Sequence, residues 1–379
     1  MESAVETARA ISSPVLREAC FDDYREVAAL QIRNGLTARS YSDWSALWTA
    51  NPAYAARRPV PIGWVLESAN DGIGGYIGNL PLEYRLGGKT IQAATPYSWV
   101  VEPAYRCHSL TLLHRFLRQP GVDLFVCTTP NEAAASVMRA LRFMKVPCGF
   151  WDRADFWITG HRGFAESALR ALPVRLPSAL LAYPVGAALY AADALRRQPG
   201  EYPGDSDASF ELCRGFDDRF DGFWEELESQ NENRLLPVRT RNALQWHFGA
   251  SCRRNDVWIL AAAVQNRLVA YGVIDRQDNP ALGLKRLRIA DFQALRGYEG
   301  LLRPVLAWML DQCRRERIHV AENVGCWLAR FGVRGTAGWY RRRLQSWLFY
   351  YLTHDRALGE QLRNPEIWMP SLYDGDSSI

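Results

Sequence analysis

The segment YSWVVEPAYRCHSLTLLHRFL, residues 97–117, places three chemically useful features in one short span. An apolar run ends at Val101, Pro103 turns the chain, and Arg106 opens a helical pattern. A strand-to-helix junction turns successive backbone N–H groups toward one point, and the helix N-terminus adds a positive partial charge. That arrangement suits an anion such as a pyrophosphate. Downstream, FVCTTPNEAAASVMRALRF, residues 125–143, reads as a buried strand followed by a helix that Asn131 starts as an N-cap. His108 stands between Cys107 and Ser109. Neighbours at a helix start do not face one another, so a Cys–His nucleophile pair is rejected.

The elements that must position these residues recur twice along the chain. In the first half a helix with Trp44 and Trp48 precedes strands at 63–68 (GWVLES) and 74–78 (GGYIG). In the second, a helix with Leu244 and Trp246 precedes strands at 257–261 (VWILA) and 269–273 (VAYGV). Each hairpin carries a Trp on its first strand and a Tyr on its second, Trp64 with Tyr76 and Trp258 with Tyr271. Each half then continues with a strand, a helix, a buried strand, a short helix and an aromatic strand. The first series is 96–101, 110–117, 123–128, 131–143 and 149–158; the second is 286–292, 300–314, 317–322, 325–331 and 338–352. The fold expected is α/β (α+β): two tandem mixed sheets flanked by helices, since antiparallel hairpins precede a strand–helix–strand crossover.

A proline-broken stretch separates the halves. Residues 1–160 form the expected N-terminal domain, 161–208 a helical and Pro-rich linker, 209–355 the C-terminal domain and 356–379 a tail. Within the linker, 176–195 is an Ala-rich apolar run with one charge, Asp193, and arginines on both sides. Its length matches a membrane span, but Pro177 and Pro184 interrupt it and alanine supplies little insertion energy. It is expected to be a connecting helix, with peripheral membrane contact through 176–195 as the sharper alternative. In the tail, Trp368 and Tyr373 are expected anchors, with Asp374 and Asp376 beyond them.

Composition narrows the function classes. The 379 residues carry a net charge of +4, too mild to make nucleic acid the main partner. Only Lys89, Lys145 and Lys285 are lysine, leaving 42 arginines among the 45 basic residues, a bias of genome composition rather than of a binding surface. The arginines 341–343 stand amid aromatic residues and read as an exposed strand edge. Eight dispersed cysteines with no CxxC spacing indicate neither a disulfide framework nor a metal site, and fit reduced thiols in a cytoplasm. The stretch 1–14 has no apolar run of a secretory signal.

Together the strand V-E-P-A-Y-R at 101–106 and the Asn131 strand–helix unit resemble the GNAT (GCN5-related N-acetyltransferase) superfamily, in duplicated form. The resemblance covers roughly residues 14–160 through the motif and 209–355 through the repeat. It implies that the backbone at Val100 and Val101 meets a pantetheine arm. It further implies that Arg106, Cys107, His108, Ser109, Leu110 and Thr111 cradle the pyrophosphate of acetyl-CoA or a longer acyl-CoA, and that Asn131 lies beside the pantetheine. Departures accompany the match. Ser109 and Thr111 replace two loop glycines, Met138 stands where the family often has a tyrosine acid, and Arg142-Phe143 replaces Gly-Phe. In the second half the corresponding loop is 296–300, with Glu299 where a phosphate would sit, so that copy is the weaker CoA candidate.

The chemistry so implied is attack of an amine on a thioester, which asks for a proton acceptor and backbone donors to an oxyanion. The carboxylates offered as acceptors are Asp291, Glu83 and Glu102. Asp291 is the most telling, because it lies in the apolar run LRIADF and burial there requires a partner. Glu83 and Glu102 also read as solvated loop carboxylates, and the group His319, Glu322 and Asn323 as flanking a strand without a catalytic role. The expected function is acyl-CoA-dependent N-acylation, without a metal, of a small-molecule amine, in a metabolite or an amino sugar, by a cytoplasmic protein. Two other classes stay open: a Fem-like aminoacyl-tRNA-dependent transferase, which has no need of the glycine loop, and a degenerate GNAT that binds without catalysing.

Overall fold

Gly87 and Gly88 have φ of 60° and 70°, the left-handed pair of a two-residue hairpin turn. They join two long strands, Gly72–Leu86 and Lys89–Val101, where the sequence pattern marked only 74–78 and 96–101. The computed structural model describes residues 13–57, 59–173, 177–196, 207–333 and 338–379. Most of the 1–14 stretch, the linker residues 197–206 and Arg175 lie outside the described residues.

The strands are β1 (Val15–Glu18), β2 (Gly63–Ser68), β3 (Gly72–Leu86), β4 (Lys89–Val101), β5 (Leu124–Cys127), β6 (Met144–Lys145), β7 (Arg153–Ile158), β8 (Ser209–Cys213), β9 (Leu236–Pro237), β10 (Val257–Val264), β11 (Arg267–Arg276), β12 (Arg286–Ala294), β13 (Val320–Val324), β14 (Tyr340–Arg343) and β15 (Tyr350–Leu352). The helices are α1 (Tyr24–Arg33), α2 (Tyr41–Thr49), α3 (Pro52–Ala56), α4 (Ser109–Leu117), α5 (Glu132–Ala140), α6 (His161–Arg170), α7 (Ser178–Arg196), α8 (Arg219–Gln230), α9 (Arg241–Arg253), α10 (Leu302–Arg315) and α11 (Arg356–Gln361). They form two compact units. One holds the described residues up to Leu82 together with Gln92–Phe125, the other Glu83–Ile91 with the described residues from Val126 onward.

In the first unit the strand order is β1-β2-β3-β4-β5. β1 and β2 pair antiparallel, as do β2 and β3, and β4 pairs parallel with β5 through Ala93 and Ala94 opposite Leu124 and Phe125. Helix α4 buries Leu112, Leu113, Phe116 and Leu117, a one-sided stripe at helical spacing. Phe116 meets Trp64 and Phe125 edge-on, at 6.3 and 5.3 Å between ring centres. Trp48 of α2 donates its indole N–H to the Asn79 carbonyl at 2.6 Å.

The second sheet repeats this plan. Its order includes β13-β12-β11-β10-β8, with β8, β10, β11 and β12 antiparallel in turn and β12 parallel to β13. The matching order and directions are what a duplicated unit requires, and the mixed α/β class is as the pattern predicts. The closing strands differ from expectation. β7, read as the end of the first repeat, pairs antiparallel with β13 and β14 of the second sheet. The predicted strand at 338–352 is two strands, β14 and β15, and β15 pairs with β6. The physical reason lies in its halves: Arg341, Arg342 and Arg343 are exposed on an edge, whereas Tyr350 and Tyr351 are buried. The aromatic match between the hairpins is also shifted, for Tyr76 faces Val65 and Tyr271 faces Ala261, one and three residues beyond their tryptophans.

The linker helix α7 packs against α6. A Cβ on Gly186 would lie 2.9 Å from the Cα of Arg162, so glycine is what lets the two backbones approach. Asp193, the single charge of the apolar run, is buried where His161 meets it at 2.7 Å and Tyr340 donates a further hydrogen bond. Gly186→Leu is expected to cost about 1–3 kcal/mol by overpacking. A lowered thermal midpoint by circular dichroism would register this, and an unchanged midpoint would contradict the packing.

Candidate functional site

In the first unit, β4 carries Val100, buried, and Val101, half-buried, to the end of the sheet. Ser98, with φ of 50°, kinks the strand just before them. The Glu102 N–H then donates to the Gly74 carbonyl at 2.8 Å, and Pro103 starts a 3-10 turn over Pro103–His108. Tyr105 pins this turn: its ring covers Gly74, where a Cβ would lie 2.4 Å from it, and its hydroxyl donates to Asp71 at 2.7 Å.

This geometry alters the expected anion loop. Arg106 to Thr111 do not form an open loop, because the 3-10 turn runs directly into α4. The N–H groups of Tyr105 and Ser109 are used within the turn, by Glu102 O and Arg106 O. The side chains add further donors. Arg106 is exposed and has no ion pair among the described residues, and the Ser109 and Thr111 hydroxyls make no hydrogen bond there. Cys107 and Leu110 are exposed and His108 is half-buried. A guanidinium and two hydroxyls are the donor side chains this segment offers in place of a glycine loop.

The proton-acceptor candidates separate. Glu102 belongs to the first unit, where its carboxylate accepts from Arg33 at 2.7 Å. Glu83 belongs to the second and lies inside β3, half-buried, rather than beyond a strand end; its carbonyl accepts the Val238 N–H at 2.9 Å. Asn131 also belongs to the second unit, where its side chain caps α5 by accepting the Ala134 N–H at 2.9 Å.

Asp291 has the partner that its apolar surroundings demanded. Fully buried on β12, it accepts from Arg239 Nε at 2.8 Å and NH2 at 3.1 Å, from Tyr271 at 3.0 Å and from the Gln293 amide at 2.9 Å. Burial pushes its pKa up, but the charge of Arg239 and these donors overcome burial and hold the carboxyl below its ordinary value. A carboxylate so committed is a poor proton acceptor and a good anchor. Sequence reasoning missed Arg239 and Gln293. The second had a signal: it sits two residues from Asp291 and so on the same face of the strand.

The tail joins this network. Trp368 and Tyr373 are buried, as expected of anchors, and Asp374 is buried with them. Asp374 accepts from the Tyr84 hydroxyl at 2.9 Å and from the Ser371 N–H at 2.8 Å, while Asp376 accepts from Thr128 and Thr129 at 3.0 Å. In the loop that corresponds to the anion site, Glu299 accepts the Gly297 N–H at 2.9 Å, so the loop carries its own carboxylate where a phosphate would bind. The remaining polar group is structural: Glu322 is clamped by Arg286 at 3.0 Å and Arg342 at 2.6 Å, and His319 Nδ1 accepts the Lys285 N–H at 3.3 Å. Arg341 and Arg343 likewise face Asp155 and Asp152. Burial raises the thiols of Cys148, Cys313 and Cys326 to about 12. No group of three or more His, Cys, Asp or Glu among the described residues is placed to hold a metal ion.

No family model matches the chain, and no curated protein matches it by sequence. Solved structures do match by shape. A GCN5-related N-acetyltransferase from Kribbella flavida aligns over 90% of this chain and 71% of its own, with a TM-score of 0.53 and 12% identity. The Saccharomyces cerevisiae N-myristoyltransferase, solved with bound myristoyl-CoA, aligns over 90% and 79%, with a TM-score of 0.51 and 10% identity. With the repeated sheet order already established, these likenesses show that the chain has the fold of the GNAT superfamily.

Proposed function

We propose that the chain is an acyl-CoA-dependent N-acyltransferase. The first unit, through the 97–117 segment, meets the donor, and the second shapes the pocket for a small-molecule amine. In the reaction the amine nitrogen bonds to the thioester carbonyl carbon, the C–S bond breaks, and the amine proton passes through an acceptor to the departing CoA sulfur or to water. The observation that carries this reading is Arg106: exposed, free of ion pairs among the described residues, and set at a strand-to-helix junction of a GNAT fold. Glu102 and Glu83 stand as candidate acceptors, and Asp291 as a residue that positions others.

Calorimetry with acetyl-CoA, octanoyl-CoA and myristoyl-CoA tests the donor. Binding is expected for at least one, and Arg106→Glu should weaken it about tenfold or more by removing a charge-assisted contact and adding repulsion. Failure of all three to bind at high micromolar concentration would defeat the reading. It would leave the alternative of a non-catalytic GNAT, which the internally bonded amides of Tyr105 and Ser109 favour. The tRNA-dependent alternative loses a basic patch, because Arg341, Arg342 and Arg343 each face a carboxylate.

Peripheral membrane contact of a cytoplasmic protein belongs to the same proposal. Among the described residues, Ser178–Leu195 is a helix long and apolar enough to cross a membrane. It exposes Leu180 at 74% and Leu195 at 90%, with Tyr183 and Tyr190 also outward and the Arg162 guanidinium 3.9 Å from the Tyr183 ring centre. Such a face favours a lipid surface. The protein should float with anionic vesicles, and a double Leu180→Glu, Leu195→Glu variant should not; equal flotation of both would remove α7 from that role.

A further inference from the structure

We infer that the cavity at the end of β12 selects acceptor amines that also carry an anionic group, a carboxylate or a phosphate, through Arg234, Arg296 and Arg330. The inference rests on the acyltransferase reading for the amine's role as acceptor and on the charges lining the cavity for the ligand class. The cavity measures about 690 Å³ and lies wholly within the second unit. That volume is in the range of small-molecule sites.

The three arginines line the cavity without a counter-charge. None of them forms an ion pair with a carboxylate among the described residues, whereas Arg239, Arg286, Arg288, Arg341 and Arg342 of the same unit each do. Two are held by neutral oxygens instead. The Arg330 guanidinium donates to the carbonyls of Trp368 and, at 2.9 Å, Pro365, and that of Arg296 donates to the Gln230 carbonyl at 2.9 Å. Gln230 and Trp368 belong to the same lining, so these contacts bring the charged heads, and not only the stems, to the wall. A carbonyl orients a guanidinium without neutralising it, and a guanidinium has five donors, so both keep some to spare. A planar fork held this way matches a carboxylate or a phosphate.

The other half of the ligand follows from the carboxylates. Glu232, Glu299 and Glu366 share the lining, and none of them pairs with the three arginines. Glu299 is turned onto the Gly297 N–H of its own loop at 2.9 Å, while Glu232 and Glu366 are exposed and without a side-chain partner among the described residues. A lining that holds both signs unpaired suits a ligand that carries both. A simple monoamine would satisfy only the glutamates and meet repulsion from the arginines, and a simple acid the reverse. An amine with its own anion satisfies each set. Phe331 and Met369, half-buried in the same wall, offer apolar surface to the body of such a ligand.

Saturation-transfer NMR of the full chain with four probes of one skeleton tests this. They are L-phenylalanine, its phosphonate analogue 1-amino-2-phenylethylphosphonate, phenethylamine, which lacks the anion, and 3-phenylpropionate, which lacks the amine. At least one of the two zwitterions is expected to show saturable transfer, and the tighter of them identifies the anion. Both single-charge probes should bind about tenfold more weakly, the loss expected when a charge-assisted contact goes. Arg330→Gln and Arg234→Gln should each weaken the zwitterion about tenfold and leave phenethylamine no weaker, a difference that general damage to the fold would not produce. Arg234 is exposed and its side chain has no partner among the described residues, so that variant keeps the test intact even if Arg330→Gln, which loses two carbonyl contacts, fails to fold. No transfer to either zwitterion at roughly 50 mM, a single-charge probe that binds as tightly as the zwitterion, or an unchanged zwitterion affinity in Arg234→Gln would overturn the proposal. Acetyl-CoA calorimetry on the same samples separates the two readings. Donor binding without zwitterion binding sinks the cavity assignment alone, and zwitterion binding without donor binding sinks the transferase reading alone.

Discussion

Replacing Arg239 with Met is expected to lower stability by about 3–5 kcal/mol, the usual result of removing one partner from a buried ion pair. Arg239 is 1% exposed. Besides its two bonds to Asp291, it donates to the Pro237 carbonyl at 3.0 Å and to Ser371 at 3.4 Å, and its guanidinium lies 4.8 Å from the Tyr373 ring centre. Met fills much of the volume but leaves Asp291 buried without a cation, and Asp291 must then take a proton or draw in water. Urea unfolding would show the loss as a lowered midpoint. The double change Arg239→Met, Asp291→Leu should recover a large part of it, because no charge is then stranded. If the double variant merely added a second loss, the pair would not be the source of the effect. The acid limb of the native stability curve follows from the same pair. The folded-state pKa of Asp291 is below its ordinary value, so its contribution is present above that ordinary value and fades only as pH falls through the lowered one.

Asp374 has the opposite sign. Burial pushes its carboxyl up to about 6, against the pull of Arg239 and the hydrogen bonds from Ser371 and Tyr84. A raised folded-state pKa means that its favourable contribution is complete below the usual value of 3.8 and is lost as pH rises through about 6. A shift of this size corresponds to about 3 kcal/mol of disfavoured ionisation. Asp374→Asn keeps an acceptor for the Ser371 N–H and offers an N–H to the Tyr84 oxygen, so it should be more stable than the native chain by about 2–3 kcal/mol above pH 7. The advantage should vanish below about pH 4. Thermal unfolding of the two proteins across pH 4–8 measures this directly, and a difference independent of pH would contradict the assignment.

These two carboxylates show where the sequence was legible. The apolar run LRIADF demanded a partner for Asp291, and the partner exists, but Arg239 lies 52 positions away and no local pattern points to it. Gln293, by contrast, was within reach of strand periodicity. The repeat was legible because antiparallel hairpins and a parallel crossover recur in the same order in both halves. The pairing of β7 with β13, and of β15 with β6, was not, because alternation of side chains along a strand reports which face is buried and never which strand lies alongside. At the donor end the residues were legible and the backbone was not. Arg106 stands at the junction expected for it, yet Pro103 at the start of the turn draws the segment into a 3-10 helix, where an open glycine loop would have left more amides free.

Release of free CoA thiol from acyl-CoA, followed with a thiol reagent in the presence and absence of L-phenylalanine and its phosphonate analogue, tests the central claim most directly. Thiol should accumulate well above background only when donor and amine are both present, and the rate should fall in Arg106→Glu through weaker donor binding. Thiol release that is absent with acetyl-, octanoyl- and myristoyl-CoA alike, or that is indifferent to every amine offered, would contradict the account.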